Sequence, residues 1–173
     1  MERVSVQGVP GSGKSTVGRA IAARLGLPYT ELDALHHGPN WSEPTAEEFV
    51  AVVTPIAAPE RWVIDGRYHG KLGDLVIARA DTVVWLDLPI RVWLPRLTWR
   101  SLRRLLLREE LWNGNREQVR MLFVRPNLFR WAWDKHFADR TFVPEWVAAY
   151  PHVRLVRLHS RREVRRFLGS LGR

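Results

Sequence analysis

The sequence predicts a three-layer α/β fold built on a parallel β-sheet. Short apolar runs alternate with helical patterns along the chain, and this alternation is typical of parallel strands joined by right-handed helical crossovers. Residues 8–15 read G-V-P-G-S-G-K-S between an apolar run and a helical pattern, which is the setting of a phosphate-binding loop. At 173 residues, of which 46% are hydrophobic, the chain suits one domain over residues 1–173 with a substantial core.

Five short apolar runs are the predicted strands, and acidic residues follow three of them. The runs lie at residues 4–6, 29–32, 61–64, 82–86 and 153–158. Asp33, Asp65 and Asp87 stand where the second, third and fourth runs end. Runs of this kind fit strands buried on both faces, whose carboxyl ends present functional groups. These three acids are therefore candidates for a functional site.

Helical patterns separate the predicted strands. They cover residues 15–25, 45–56, 90–107, 116–149 and 160–168, and the fourth is interrupted near Pro126 and Pro144. Capping-box patterns, which begin helices, occur at Thr45 with Glu48 and at Ser160 with Glu163. The stretch at 32–44 is predicted to be an exposed loop.

The composition limits the classes of function. The chain has no cysteine, which excludes disulfides, thiolate metal sites and cysteine nucleophiles. We expect a cytoplasmic protein without a membrane partner, because neither a secretory signal nor a run of about 18 apolar residues occurs. The net charge of +9 comes almost wholly from arginine, since only Lys14, Lys71 and Lys135 are lysines. Arginine suits bidentate phosphate binding, although a GC-rich genome would give the same excess.

The loop at residues 8–16 is the predicted ATP site. Its glycines let successive N–H groups point at a polyphosphate, and the following helix adds the positive end of its dipole. Lys14 is expected to reach the β- and γ-phosphates, and Ser15 to place its hydroxyl on Mg²⁺. The predicted nucleotide-binding residues are Gly8, Pro10, Gly11, Ser12, Gly13, Lys14, Ser15 and Thr16.

Two strand-end acids have predicted chemical roles, and the third is interpreted as structural. Asp65, with Ser15, is expected to hold Mg²⁺ directly or through water. Asp87 competes for this role, but Asp-x-Pro before a helix is a common capping arrangement. Asp33 would hold the acceptor or take a proton from its hydroxyl, and a helix or turn cap is the alternative.

Other side chains near these acids are secondary candidates. Arg67 directly follows Asp65-Gly66 and is a candidate acceptor-binding cation. His36 and His37 are interpreted as exposed loop residues or acceptor contacts rather than metal ligands. Trp41 would either stack on a planar acceptor or serve packing.

The segment after residue 96 has the character of a lid. Several arginines are spaced to place their guanidinium groups on one helical face, namely Arg100, Arg103, Arg104 and Arg108. Arg100 and Arg104 are candidates to meet triphosphate oxygens when a lid closes, and a solvated basic face is the alternative. Residues 113–116, N-G-N-R, are a predicted hinge or lid tip. The aromatic residues at 129, 131, 133 and 137 are interpreted as helix packing.

Several segments together resemble one family. They read G-V-P-G-S-G-K-S-T, L-D-A-L-H-H-G-P-N-W, W-V-I-D-G-R-Y and D-T-V-V-W-L-D-L-P. The chain resembles, over nearly its whole length, the adenylate-kinase-related P-loop proteins called DNA topology modulation proteins. The resemblance implies a P-loop NTPase fold of the adenylate and shikimate kinase type with five parallel strands. It also implies a Mg²⁺-associated acid at Asp65, an acceptor-side segment at about 33–60 and an arginine-bearing lid at about 96–149.

The sequence departs from true adenylate kinases after the third strand. Those enzymes carry D-G-F-P-R there, whereas this chain has D-G-R-Y-H at residues 65–69. The nucleoside-monophosphate contacts of that motif therefore do not transfer to this chain.

These features predict an ATP- and Mg²⁺-dependent kinase that acts on an unidentified small-molecule acceptor. Lys14 and the loop would hold the phosphates, Asp33 would activate the acceptor, and lid arginines would neutralise developing charge. The alternative is a nucleic-acid-associated regulatory ATPase, which the basic charge and the resemblance favour but no nucleic-acid-binding motif supports. A nucleotide-binding protein without turnover is a third possibility.

Overall fold

The computed structural model describes residues 1–117 and 127–172 of the chain. One parallel sheet contains five strands in the order β2-β3-β1-β4-β5. The strands are β1 (Arg3–Gly8), β2 (Tyr29–Glu31), β3 (Trp62–Asp65), β4 (Thr82–Leu86) and β5 (Arg154–Leu158). The helices are α1 (Lys14–Leu25), α2 (Leu32–His36), α3 (Ala46–Ala57), α4 (His69–Leu72), α5 (Ile90–Leu107), α6 (Leu128–Ala148) and α7 (Arg161–Ser170). The predicted three-layer α/β fold with a five-stranded parallel sheet is confirmed.

The sheet is covered by helices on both faces. Along β4, Val84 and Leu86 belong to the apolar cluster that includes α1 and packs against α7. Val83 and Trp85 alternate with them and belong to a second cluster with α6. Because successive side chains of a strand point to opposite faces, a strand that is apolar throughout fits the centre of such a sheet.

Helix termini follow the predicted capping signals. At the start of α3, Glu48 N–H donates to Thr45 Oγ1 at 3.2 Å, and Thr45 N–H donates to Glu48 Oε2 at 2.8 Å. This reciprocal pair is the predicted capping box. At the start of α7, Glu163 N–H donates to Ser160 Oγ at 3.1 Å. Both predicted N-termini are therefore confirmed.

Two predicted elements differ from the structure. Residues 32–36 form α2 rather than an exposed loop, because Leu32 and His36, four residues apart, bury one face of a single helical turn. Helix α6 continues through Pro144, where a break was predicted. Buried Val143 and Val147 anchor α6 on both sides of the proline, and this packing maintains the helix despite the lost hydrogen bond. The predicted break near Pro126 lies outside the described residues.

The interpretation of the aromatic residues of α6 as packing is wrong for three of them. Trp131, Trp133 and Phe137 are each more than two-fifths exposed, whereas Phe129 packs against a buried cluster that includes Trp93. The buried face of α6 is carried instead by smaller residues such as Ala132 and Val143.

Within 1–117 and 127–172, none of the helices combines the length and the apolar character needed to cross a membrane.

Asp87 ties β5 and α6 to the end of β4. Its buried carboxylate accepts hydrogen bonds from Arg157 at 2.7 Å and from Arg140 at 3.2 Å, and His159 lies 3.3 Å away. The Arg157 guanidinium also lies over the Trp85 ring. This arrangement gives Asp87 a structural role on the side of β1 opposite to Asp65.

We expect Asp87→Asn to lower the free energy of unfolding by about 1–3 kcal/mol, because two guanidinium groups lose a buried anionic acceptor. Urea denaturation at pH 7 measures this change. Asp134→Asn is the matched control, since Asp134 forms only an exposed pair with Arg130 one helical turn away. Equal effects of the two substitutions would contradict the structural role of Asp87.

Candidate functional site

The glycine-rich loop connects β1 to α1 and is partly exposed to solvent. Gly11 and Gly13 have φ values of 80° and 92°, in the left-handed region that favours glycine. Ser12 N–H donates to Val9 O at 3.1 Å and closes a tight turn. Helix α1 begins at Lys14, so its first N–H groups have no partner within the helix and are available to an anion.

A cavity of about 1460 Å³ lies over this loop. Loop residues 9–17 line it together with side chains of α5 and α7. Its cationic residues are Lys14, Arg19, Arg96, Arg100, Arg103, Arg104, Arg161 and Arg165, whereas its acids are Glu31, Asp33 and Glu110. A concave surface with this excess of cations has the electrostatic character of a polyphosphate site.

Lys14 joins the two predicted acids at the carboxyl edge of the sheet. Its Nζ lies 3.2 Å from Asp33 Oδ2 and 3.7 Å from Asp65 Oδ1. Tyr68 donates its hydroxyl proton to the other oxygen of Asp33 at 2.7 Å, and Tyr29 donates to Asp65 Oδ2 at 3.0 Å. The structure therefore brings Lys14, Asp33 and Asp65 into one cluster, although 51 residues separate the first from the last in sequence.

The charges of this cluster support one another. Burial lowers the pKa of Lys14, but Asp65 and Asp33 outweigh burial and raise the pKa overall. For Asp33, burial raises the pKa, but Lys14 and the Tyr68 hydroxyl outweigh it, so the net pKa is below its ordinary value. The pKa of Asp65 is raised because burial outweighs the opposing effect of Lys14. Asp33 is thus the better stabilised anion, and Asp65 has the greater need for a further cation.

The donors beside the loop suit a hard divalent cation. Asp65 Oδ1 is buried and has no hydrogen-bond partner among the described residues. Ser15 Oγ donates to Glu31 Oε1 at 3.1 Å, and Glu31 pairs in register with Asp65 on the adjacent strand. Carboxylate and hydroxyl oxygens are the ligands that Mg²⁺ prefers. The unpartnered oxygen of Asp65 and the neighbouring hydroxyl therefore fit the expected ion.

The arginines predicted to belong to a lid occupy different environments. Arg100 is partly buried, and burial followed by repulsion from Arg104 lowers its pKa. Within 1–117 and 127–172, no hydrogen bond is made by its Nε atom. Arg104 pairs with Glu117 at 2.8 Å, and Arg103 pairs with Glu109 at 2.7 Å. A bound anion in the cavity would therefore favour the charged form of Arg100.

Arg108 differs from the other arginines of α5. It ends the helix in the left-handed conformation, with a φ of 47°. Among the described residues that line the cavity, Arg108 is not present. The predicted single basic face therefore stops at Arg104.

Arg67 is held by contacts with α6. It donates to Asp139 of α6 at 2.6 Å, and its guanidinium lies over the Phe142 ring. Lys135 pairs with the same carboxylate at 3.3 Å. Asp139 thus gathers two cations from different parts of the chain.

The expectation that His36 is exposed is wrong. His36 is buried at the end of α2, where its ring packs against Phe49 and Tyr68. Ligand atoms of His36, His37 and Glu43 all lie within 4.8 Å of one another. Lys71 donates to Glu43 at 3.0 Å, so a protein cation already compensates this carboxylate.

Several residues of the site escaped the sequence analysis. Glu31, Tyr29 and Tyr68 contact the cluster, and Arg96 and Arg161 line the cavity. Glu31 offered only a weak signal, because it lies inside the predicted strand 29–32, whereas in the structure it is the last residue of β2. The tyrosines offered none, because aromatic residues next to strands are usually packing residues.

Solved structures of kinases share this fold. A sugar kinase from a Janibacter species has a TM-score of 0.55 and 20% identity, with 98% of this chain and 93% of that chain covered. A gluconokinase from Sinorhizobium meliloti has a TM-score of 0.51 and 21% identity, covering 99% and 93%. Shikimate kinase from Acinetobacter baumannii, solved in complex with shikimate, has a TM-score of 0.58 and 16% identity, covering 98% and 89%. The chain thus has the P-loop kinase fold.

No family model and no curated protein matches the sequence.

We expect Gly11→Ala to destabilise the protein more than Gly26→Ala. A Cβ atom at Gly11 would lie 2.4 Å from the carbonyl oxygen of Trp93, so the loop and α5 must separate. Gly26 also has a positive φ, but a Cβ there meets no described atom within 4 Å. Gly26→Ala therefore carries only the backbone cost of about 1 kcal/mol. Thermal unfolding of both variants measures the difference, and equal losses would contradict the close approach.

Asp33 should make stability depend on acid pH. Its pKa in the folded protein is below its ordinary value, which is about 3.9 in an unfolded chain. Its contribution is fully present above about pH 5 and is lost as the pH falls through the lowered folded pKa. The stability difference between the wild type and Asp33→Asn should therefore shrink from pH 6 to about pH 3. Denaturant unfolding at several pH values measures it, and a constant difference would contradict the predicted shift.

Proposed function

We propose that the protein is an ATP- and Mg²⁺-dependent kinase that transfers the γ-phosphoryl group to a hydroxyl of a small-molecule acceptor. The observation that carries this proposal is the position of Lys14, between the phosphate-binding loop and the carboxylates of Asp33 and Asp65. Phosphoryl transfer needs a phosphate cradle, a metal-binding acid, cations and an oriented acceptor. The cavity lining provides the cradle, the cations and Asp33, and Asp65 lies behind it within 3.7 Å of Lys14.

The cavity lining combines polar residues suited to the phosphates with apolar residues suited to the adenine base of ATP. The loop from Gly8 to Thr16 would hold the phosphates through its N–H groups, with Lys14 on the β- and γ-phosphates. Leu88, Val164 and Leu168 belong to the apolar part of the lining, and Arg96 and Arg161 line the same cavity. Guanidinium planes stack well on aromatic rings.

Ser15 and Asp65 would hold Mg²⁺. The ion supplies neutralisation of the charge that develops on the phosphate oxygens. Asp65 would be ionised in that complex, since a divalent cation replaces the missing partner of Oδ1. Tyr29 keeps the second oxygen of Asp65 oriented through its hydroxyl.

Asp33 would act as the base for the acceptor. When Lys14 turns to the phosphates, Asp33 Oδ2 loses its cationic partner, while Tyr68 still orients the carboxylate through Oδ1. The acceptor oxygen attacks the γ-phosphorus, the bond to the β-γ bridging oxygen breaks, and the acceptor proton passes to Asp33. ADP and the phosphorylated acceptor are the products.

Arg100 and Arg104 would stabilise the charge of the transferred group. Both line the cavity from α5, and the lowered pKa of Arg100 reflects a partly buried cation beside a second one. An anion between them relieves this repulsion and gains charge-assisted hydrogen bonds. Arg104 first has to share or leave its contact with Glu117.

These roles assign each segment of the chain to a part of the proposed kinase domain. Residues 1–173 would form one kinase domain, with an acceptor-side segment at about 33–60 and a lid at about 96–149. Neighbours named as a sugar kinase, a gluconokinase and a shikimate kinase support a small acceptor rather than a macromolecule. The resemblance to DNA topology modulation proteins stays a prediction, as does the alternative of a nucleic-acid-associated ATPase.

We expect rapid ADP release from Mg-ATP with at least one acceptor in a panel of nucleosides, nucleoside monophosphates and small hydroxylated metabolites. Lys14→Ala should abolish it, because the phosphates lose the cation that follows the loop. Asp33→Asn should lower acceptor-dependent turnover by about 10²- to 10⁴-fold, the usual contribution of a general base, and leave ATP binding in place. Asp134→Asn, the same chemical change on the exposed face of α6, is the matched control.

Two outcomes would contradict the kinase. Slow release that is indifferent to every acceptor would favour a regulatory ATPase, and duplex DNA affinity that weakens steeply with salt would support that alternative. Full activity in Lys14→Ala would show that the reaction does not depend on the proposed site.

A further inference from the structure

The turn at residues 110–117 is joined to the turn at residues 34–41 by side-chain amides. We call these the lid turn and the acceptor-side turn. Asn115 is buried, and its Nδ2 donates to Gly38 O at 2.8 Å while its Oδ1 accepts from Trp41 N–H at 2.8 Å. Asn113 Nδ2 donates to His37 O at 2.7 Å and to Ala34 O at 3.2 Å. These bonds link segments more than 70 residues apart in sequence.

The acceptors on one side belong to the helix that carries Asp33. The last carbonyl groups of a helix have no partner within it, and α2 ends at His36. Asn113 supplies hydrogen bonds to two carbonyls at this end, and Asn115 supplies one to Gly38. The lid turn therefore fixes the C-terminal end of the single turn on which Asp33 lies.

The lid turn is itself part of the cavity. Glu110, Leu111 and Trp112 line it, and Glu117 holds Arg104 at 2.8 Å. The turn is closed internally by Leu111 N–H, which donates to Asn115 O at 2.7 Å. A shift of this turn therefore moves cavity-lining side chains together with the contacts on α2.

The docked arrangement is a defined conformation. Asn40, Trp41 and Asn113 have φ values between 56° and 59°, a region that costs free energy for residues other than glycine. Trp41 Nε1 donates to Arg116 O at 3.2 Å, and the His37 ring stacks on Trp112 with centroids 5.7 Å apart. Backbone geometry of this kind persists only where surrounding contacts determine it.

We propose that Asn113 and Asn115 are positioning residues that couple the nucleotide cavity to Asp33. Nucleotide bound against the lid turn orders the acceptor-side turn through the two amides, and thereby orients the base for the acceptor. This inference rests on the proposed function, because it requires nucleotide in the cavity. Coupling of two sites is reciprocal, so an acceptor held near Asp33 strengthens nucleotide binding by the same factor.

Hydrogen exchange with and without the magnesium complex of a non-hydrolysable ATP analogue tests the coupling. In the wild type, the analogue should slow exchange at residues 8–16, 110–117 and 33–41. In Asn115→Asp a carboxylate oxygen faces the carbonyls of Gly38 and Trp112, so the hydrogen bond to Gly38 is replaced by repulsion, while the bond accepted from Trp41 N–H is retained. Asn113→Gly keeps the positive φ and removes only the amide. Both variants should keep the protection at 8–16, while the protection factor gained at 33–41 falls about 5-fold or more.

Controls separate coupling from loss of structure. Asn127→Asp makes the same chemical change at the start of α6, where aspartate caps equally well, and should behave as the wild type. Exchange in β1 and β4 without analogue should be unchanged in all variants, whereas a merely destabilised variant would exchange faster there.

The inference is overturned by either of two results. The wild type could show protection at 8–16 without protection at 33–41, or both variants could keep the full protection at 33–41, which would place the coupling in the Lys14–Asp33 contact. Absence of protection at 8–16 in the wild type is a different result, since it removes the proposed function and this inference with it.

Discussion

One partly buried cation, Lys14, pairs with two carboxylates that the parallel sheet brings together. Asp33 and Asp65 follow different strands, and the parallel register places the ends of those strands side by side. Two neighbouring carboxylates, one buried and one partly buried, repel each other and raise each other's pKa unless a cation lies between them. The phosphate-binding loop supplies that cation from the first residue of α1. The position of the loop and the ionisation of the two acids therefore depend on each other.

The same balance explains why the cavity above the loop is rich in arginine. The strand-end acids offer negative charge at the floor, and α5 and α7 surround the opening with guanidinium groups. Several of these arginines are already paired, as Arg103 and Arg104 are with Glu109 and Glu117. Arg100 stands apart, because burial and the adjacent Arg104 disfavour its charge. A bound polyanion with a divalent cation would neutralise both the acids at the floor of the cavity and the arginines around its opening.

The lid turn connects this electrostatic centre to the rest of the acceptor side. Its two asparagines make neutral hydrogen bonds to backbone carbonyls, which are directional and insensitive to salt, whereas the contacts of Lys14 are ionic. Under the proposed function, such an arrangement would let the charged groups exchange partners while the surrounding backbone keeps its geometry. The amide network and the ion pairs therefore serve different purposes around the same helix, α2.

Local signals in the sequence determined much of the fold and part of the site. The glycine-rich motif, the five apolar runs and the capping boxes at Thr45 and Ser160 correspond to observed elements, since each depends on residues close together in the chain. Helix α5 spans the predicted residues, 90–107, for the same reason. The strand-end position of Asp33 and Asp65 also predicted that both would lie at one edge of the sheet.

Tertiary structure decided the rest, because burial and long-range partners have no local pattern. Helix α2 exists because Leu32 and His36 reach the core, and α6 passes through Pro144 because packing on both sides outweighs one lost hydrogen bond. The exposure of Trp131 and the burial of His36 both reversed the expectation from residue type. The sharing of Lys14 by two acids and the docking of Asn113 and Asn115 on the acceptor-side turn depend on contacts across 19 to 79 residues of chain. The sequence alone thus determined which polar and charged side chains are available to a site, and the packing of distant segments decided how those side chains meet.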